Sequence, residues 1–139
     1  MKDKCFIDTN ILVYANDRSV KAKSEKAKKI LLDGIREGNI ALSTQVLGEF
    51  YVTVTQKIKV KLPVDTATKE IRLLAAVETA EIDYHSVLQA VDIAVQYRLS
   101  YWDSLIIASA LKTRCNILYS EDLHHGQTIG GVTLVNPFL

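Results

Sequence analysis

Apolar residues in this chain fall into two kinds of run. Lys4-Cys5-Phe6-Ile7, Ile40-Ala41-Leu42, Asn116-Ile117-Leu118-Tyr119 and the stretch over 132–135 are short and nearly continuous. Such runs predict strands buried on both faces, as in a parallel sheet. Longer stretches carry apolar residues three and four apart with polar residues between, which predicts amphipathic helices. One helix is expected over 20–37, where Ala27, Ile30, Leu31 and Ile35 recur among lysines until Gly38-Asn39 supplies a stop. A second is built on Val46, Leu47, Phe50, Tyr51 and Val54, with Ser43 or Thr44 placed to cap it, Glu49 to the side of its apolar face and Pro63 in the region that ends it. A third is expected over 65–77 through Ala67, Ile71, Leu74 and Ala75. A fourth is marked by Val87, Val91, Ala94 and Val95 and ends near Arg98, and a fifth opens at Ser100 with Ile106, Ile107 and Ala110 inward. A weak strand is expected over 80–82. Ile11 to Tyr14 is a further apolar run, and a loop with Gly126, Gly130 and Gly131 precedes the last strand.

Short strands alternating with helices predict an α/β fold with a short central parallel sheet and helices on both faces, because parallel strands need crossovers and helices supply them. At 139 residues and 48% hydrophobic content, the chain suits one domain with its own core, spanning 1–139. In such sheets ligands bind outside the carboxyl ends of the strands. Asp8, Glu121 and Asp122 follow strand ends, while Glu49 and Asp103 begin helices returning from that edge. One side of the sheet is therefore expected to gather every acidic cluster.

Seventeen Lys plus Arg against sixteen Asp plus Glu leave a net charge of +1, so overall charge selects no class of partner. Lys21, Lys23, Lys26, Lys28 and Lys29, and then Lys57, Lys59 and Lys61, either rim an acidic cleft and hold a phosphate backbone or form solvated helix faces. Asp8 and Asn10 break the first apolar stretch, and no run approaches the length of a membrane span, so a cytoplasmic protein without membrane association is expected. Cys5 and Cys115 lack metal-ligand spacing and read as small buried hydrophobes. His85, His124 and His125 are expected to face solvent.

Carboxylates beside a core are costly unless a cation neutralises them, and their recurrence suggests a divalent-metal site assembled by folding. Each acid also has a plainer use. Asp8 suits a capped turn, Asp103 suits a capping box with Ser100, Glu49 suits a helix surface, and Glu121-Asp122 suits a polar turn. Tyr101 and Trp102 are either packing residues or a platform for a base, with packing the more frequent use.

Asp8-Thr9-Asn10-Ile11-Leu12, Gln45-Val46-Leu47-Gly48-Glu49-Phe50, Tyr101-Trp102-Asp103-Ser104-Leu105-Ile106 and Leu118-Tyr119-Ser120-Glu121-Asp122-Leu123 resemble, in order and spacing, the PIN-domain nucleases, and among them the VapC-type toxins of toxin–antitoxin pairs. The resemblance spans nearly the whole chain. It implies a PIN-like fold and a metal-dependent endoribonuclease that hydrolyses RNA phosphodiesters with activated water. Asp8, Glu49, Asp103 and Asp122 match the family's acidic quartet, Asp8 and Asp103 being the foremost ligands, and Asn10 and Ser120 match supporting polar positions. Glu121 beside Asp122 leaves open which carboxylate faces the metal. Magnesium is the implied cofactor, with manganese as its substitute. The implied partners are an RNA substrate, with tRNA among the candidates, a cognate antitoxin and a second copy of the chain. Two alternatives stand beside this reading. A phosphatase of the haloacid-dehalogenase type would want a second Asp where Asn10 stands, and a catalytically silent binding module would be expected to have lost some of the four acids.

Overall fold

The computed structural model describes residues 3–139. Strands β1 (Cys5–Ile7), β2 (Ile40–Ser43), β3 (Glu78–Ala80), β4 (Ile117–Tyr119), β5 (Thr128–Ile129) and β6 (Val132–Val135) form one sheet in the order β3-β2-β1-β4-β6-β5. All pairings are parallel except the hairpin of β5 with β6. Every residue of β1 and β2 is buried, as a strand covered on both faces requires.

Helices α1 (Thr9–Ala15) and α2 (Lys21–Glu37) connect β1 to β2, and α3 (Thr44–Gln56) and α4 (Val64–Leu73) lead on toward β3. Helices α5 (Tyr84–Tyr97) and α6 (Tyr101–Lys112) pack on each other, and α6 lies against β2, β4 and β6. The core joins Phe6, Ile7, Ile11, Leu12, Leu42, Phe50, Ile107 and Leu118, all at most 1% exposed. Each such side chain contributes about 1.5–3 kcal/mol by leaving water. Helix α2 approaches β2 closely at Gly34, where an added Cβ would collide with Ile40.

The expected elements form with four differences. Residues 9–15 make a helix, not merely an apolar run, and Ile11, Leu12, Val13 and Ala15 are all buried, so it shows no polar face in the sequence. The weak strand lies at 78–80 instead of 80–82. A 3-10 turn at Leu74–Ala76 separates it from α4. The glycine-containing loop holds the two-residue β5. Finally, the valines that mark α5 point outward: Val87, Val91 and Val95 are exposed, while Ser86, Ala90 and Ile93 are buried. Small residues let α5 lie close to α6, and the larger apolar side chains form an outer stripe.

Candidate active site

The carboxyl ends of β1 and β4 lie side by side, and the chain leaves them in different directions: β1 leads toward β2, and β4 toward β6. Such a switch of direction opens a crevice at the strand ends. Asp8 follows β1 and Ser120 follows β4. The Asp8 N–H donates to the Tyr119 carbonyl at 3.0 Å, which fixes the Asp8 backbone to the end of the neighbouring strand.

Asp8 is 6% exposed. One carboxylate oxygen accepts the Ser120 hydroxyl at 2.7 Å and the other accepts the Thr9 N–H at 2.7 Å, so Asp8 also caps α1. Burial pushes its pKa up to about 6. The bonds from Ser120 and Thr9 oppose that rise, and the nearby Asp122 and Glu49 charges add to it.

Asp122 sits on the open side of the crevice. Its carboxylate accepts from Asn10 Nδ2 at 3.1 Å, its N–H donates to Ser120 Oγ at 3.2 Å, and Asn10 Oδ1 accepts the Glu121 N–H at 3.2 Å. Asn10 and Ser120 thereby tie the loop after β4 to the start of α1.

Glu49 arrives from α3, whose start is set by the Ser43 hydroxyl accepting the Val46 N–H. Thr9 Oγ1 donates to one of its oxygens at 2.7 Å, and Gln45 Nε2 lies 3.4 Å from the other. The same Gln45 Nε2 donates to the Trp102 carbonyl at 3.2 Å, bringing the first turn of α6, and Asp103 with it, beside α3. Ser100 Oγ accepts the Asp103 N–H at 3.1 Å. The return bond of a capping box, from the Ser100 N–H to the Asp103 carboxylate, is not made among the described residues, so this carboxylate is not engaged in closing the helix end.

Glu121 turns away from this group. Its carboxylate accepts from Tyr14 Oη at 2.7 Å and pairs with Lys23 Nζ at 2.7 Å, and Lys23 also lies 4.9 Å from the centre of the Tyr14 ring. Asp122 is therefore the one of the two whose carboxylate bonds to Asn10, with its N–H on the same Ser120 Oγ that donates to Asp8. Tyr101 packs on the core, whereas Trp102 is 62% exposed where α6 begins and lies outside the core, its ring edge-on to that of Tyr101 at 4.9 Å. The three histidines lie at the surface.

Thr9 and Gln45 carry bonds that the sequence reading assigned to no one. Gln45 had a signal, since residues four apart share a helix face and it precedes Glu49 by one turn. Thr9 had none, because its partner lies 40 residues away.

Among the described residues, no three Asp, Glu, His or Cys side chains stand ready to share one ion. Two other features fit a hard cation. None of Asp8, Glu49, Asp103 and Asp122 is in a salt bridge with a basic side chain among the described residues, although Asp8 is buried. Gln45 Oε1 is buried beside Glu49 without a hydrogen-bond partner among the described residues. Magnesium commonly takes one or two carboxylates and completes its shell with water and substrate oxygens, so a preformed cage of three is not required.

The sequence profile of the PIN domain matches residues 5–128. No curated protein matches the chain significantly. Among solved structures, the fold is similar to the Mycobacterium tuberculosis toxin VapC20, which cleaves the sarcin–ricin loop. That likeness has a TM-score of 0.69 at 20% identity, over 86% of this chain and 90% of that one. A toxin–antitoxin complex from Klebsiella pneumoniae gives 0.69 at 21%, over 96% and 98%. VapBC2 from Rickettsia felis, bound to a fragment of its promoter DNA, gives 0.66 at 18%, over 94% and 96%.

Proposed function

This chain belongs to the PIN domain family, and from that premise we propose that it is a metal-dependent endoribonuclease acting as the toxin of a toxin–antitoxin pair. The carrying observation is the meeting of Asp8, Asp122 and Glu49 through Ser120, Asn10 and Thr9 at the carboxyl edge of the sheet, with no basic side chain paired to them among the described residues. Asp8, Asp122, Asp103 and Glu49 would hold magnesium, with manganese able to replace it. The bound ion supplies Lewis-acid chemistry, lowering the pKa of coordinated water and offsetting charge on the phosphoryl oxygens.

The chain's own contribution is positional. Ser120 and the Thr9 N–H fix the Asp8 carboxylate, Asn10 Nδ2 holds that of Asp122, and Thr9 Oγ1 with Gln45 sets Glu49. Rigid placement matters because small displacements of reacting groups cost rate steeply. Hydrolysis needs no covalent attack by a side chain, and the exposed side of the crevice at Asp122 suits unpaired RNA, which can be splayed out of a helix.

Two surfaces support the expected partners. The outer stripe of α5, formed by Tyr84, Leu88, Val91 and Val95, gives a second copy an apolar face. A groove of about 360 Å³ between α2 and α4, lined by Leu31, Leu32, Ile35 and Leu73, gives an antitoxin segment a place to dock. Among the described residues no helix is long and apolar enough to cross a membrane.

The test is magnesium-dependent cleavage of a panel of tRNA and structured RNA by purified protein beside its Asp8→Asn variant. Cutting by the wild type alone supports the reading. Equal cutting by both would assign the activity to a contaminant, and failure to bind either metal in a calorimeter would overturn the proposal.

A further inference from the structure

Beyond the acidic crevice, a cavity of about 370 Å³ runs along the exposed side of α3, bounded by Thr9, Gly48, Glu49, Val52, Thr53 and Lys57. Glu49, Thr53 and Lys57 are four residues apart in turn, so they follow one ridge of the helix. At 1.5 Å per residue the ridge carries Lys57 about 12 Å along the axis from Glu49. The cavity is therefore a groove that starts at the acids and ends at a cation.

Gly48 lies in the interior of α3, where glycine weakens a helix. The usual reason for such a glycine is close packing, as at Gly34 against Ile40. Gly48 has no such reason, because an added Cβ would meet nothing within 4 Å among the described residues. The bare backbone there is the floor of the groove, open to something from outside the chain. Lys57 is exposed and forms no salt bridge among the described residues, so the far end of the groove keeps its positive charge.

We propose that this groove is the track of the RNA strand next to the scissile phosphate, with its sugar–phosphate backbone lying over Gly48 and a neighbouring phosphate held by Lys57. The proposal rests on the nuclease reading for the position of the scissile bond, and it adds the direction in which the strand leaves the acids. A polyanion matches a groove ending at Lys57, unpaired among the described residues, better than an uncharged peptide does.

Binding of a fluorescein-labelled single-stranded RNA is measured by anisotropy in the Asp8→Asn background, and cleavage is measured in the otherwise wild-type chain. Gly48→Leu is expected to keep or raise the melting temperature and to weaken RNA binding about tenfold by filling the groove. Lys57→Gln is expected to raise KM with kcat little changed and to reduce the slope of log affinity against log salt by about 0.7, the loss of one single-strand phosphate contact. Lys57→Arg should restore both. Unchanged binding and KM in Gly48→Leu and Lys57→Gln would overturn the track, even if the wild type cuts RNA, and would leave the groove to a protein partner. Absence of RNA binding by the parent protein would overturn it as well. Groove-dependent binding without any cleavage would uphold the track while removing the nuclease reading.

Discussion

Asp8 is the residue on which burial and charge conflict most directly. Its pKa of about 6 means that the folded chain holds the proton more tightly than the unfolded chain, whose value is 3.8. The stability associated with this proton is therefore complete below about pH 4 and is lost as pH rises through 6, reaching a penalty of about 3 kcal/mol above it. In urea denaturation with EDTA, Asp8→Asn should be more stable than the wild type by about 3 kcal/mol at pH 8, the full penalty, since the bonds from Ser120 and the Thr9 N–H already enter the raised pKa. The difference should vanish near pH 4. A variant less stable at pH 8 would show that the role of Asp8 as the cap of α1 outweighs the cost of its charge. The adjacent acids at 121 and 122 pose a second question at this scale. Sequence alone left them open, because both follow the same strand and their partners lie far away. Tyr14 is 107 residues and Lys23 98 residues from Glu121. Since Glu121 is taken up by that pair, Asp122→Asn should lower kcat by about a hundredfold, comparable to loss of an important electrostatic group in other active sites. Glu121→Gln should stay within about threefold if its role is to anchor the loop, and the RNA cleavage assay compares the two directly.

At the scale of elements, two helical glycines make opposite predictions. Gly34→Ala gains helix propensity but forces Cβ into Ile40, and it should destabilise by about 1–3 kcal/mol, as overpacking does. Gly48→Ala meets open space and should stabilise by about 0.5–1 kcal/mol. Denaturant midpoints of the two variants check the pair, and two shifts of the same sign would contradict the contrast between them. Neither sign was legible in the sequence, where both residues are single glycines inside helical patterns. What the sequence did carry was periodicity. Helix α2 was readable because lysines alternate with its buried stripe, and β1, β2 and β4 because each is a brief apolar run. Helix α1 was not readable, since packing against α2 and α3 leaves most of its side chains buried and erases the polar half of the pattern. Strand β5 has two residues between glycines with positive φ at 126 and 130, too few to show any period.

For the whole molecule, the parallel sheet followed from the alternation of elements, and its strand order explains why acids separated by over a hundred residues share one edge. Their joint charge was concealed by a net charge of +1, because the compensating lysines are spread over other surfaces. A protein with four acids unpaired to bases among the described residues, one of them buried, should respond to a divalent ion as a whole. At a concentration ten times the dissociation constant, binding to the folded state alone stabilises by about 1.4 kcal/mol. For a domain of this size that raises the melting temperature by roughly 3–6 °C. Magnesium or manganese should produce the rise at pH 8 and less of it at pH 5, where Asp8 is protonated and metal must displace the proton. Asp8→Asn should already melt higher without metal and gain little from adding it. Sodium chloride at equal ionic strength separates this from screening, since screening acts on every charge while site binding saturates. A rise that sodium reproduces, or that survives in Asp8→Asn, would place the ion's effect on the general surface and remove the thermodynamic support for a metal held by the crevice.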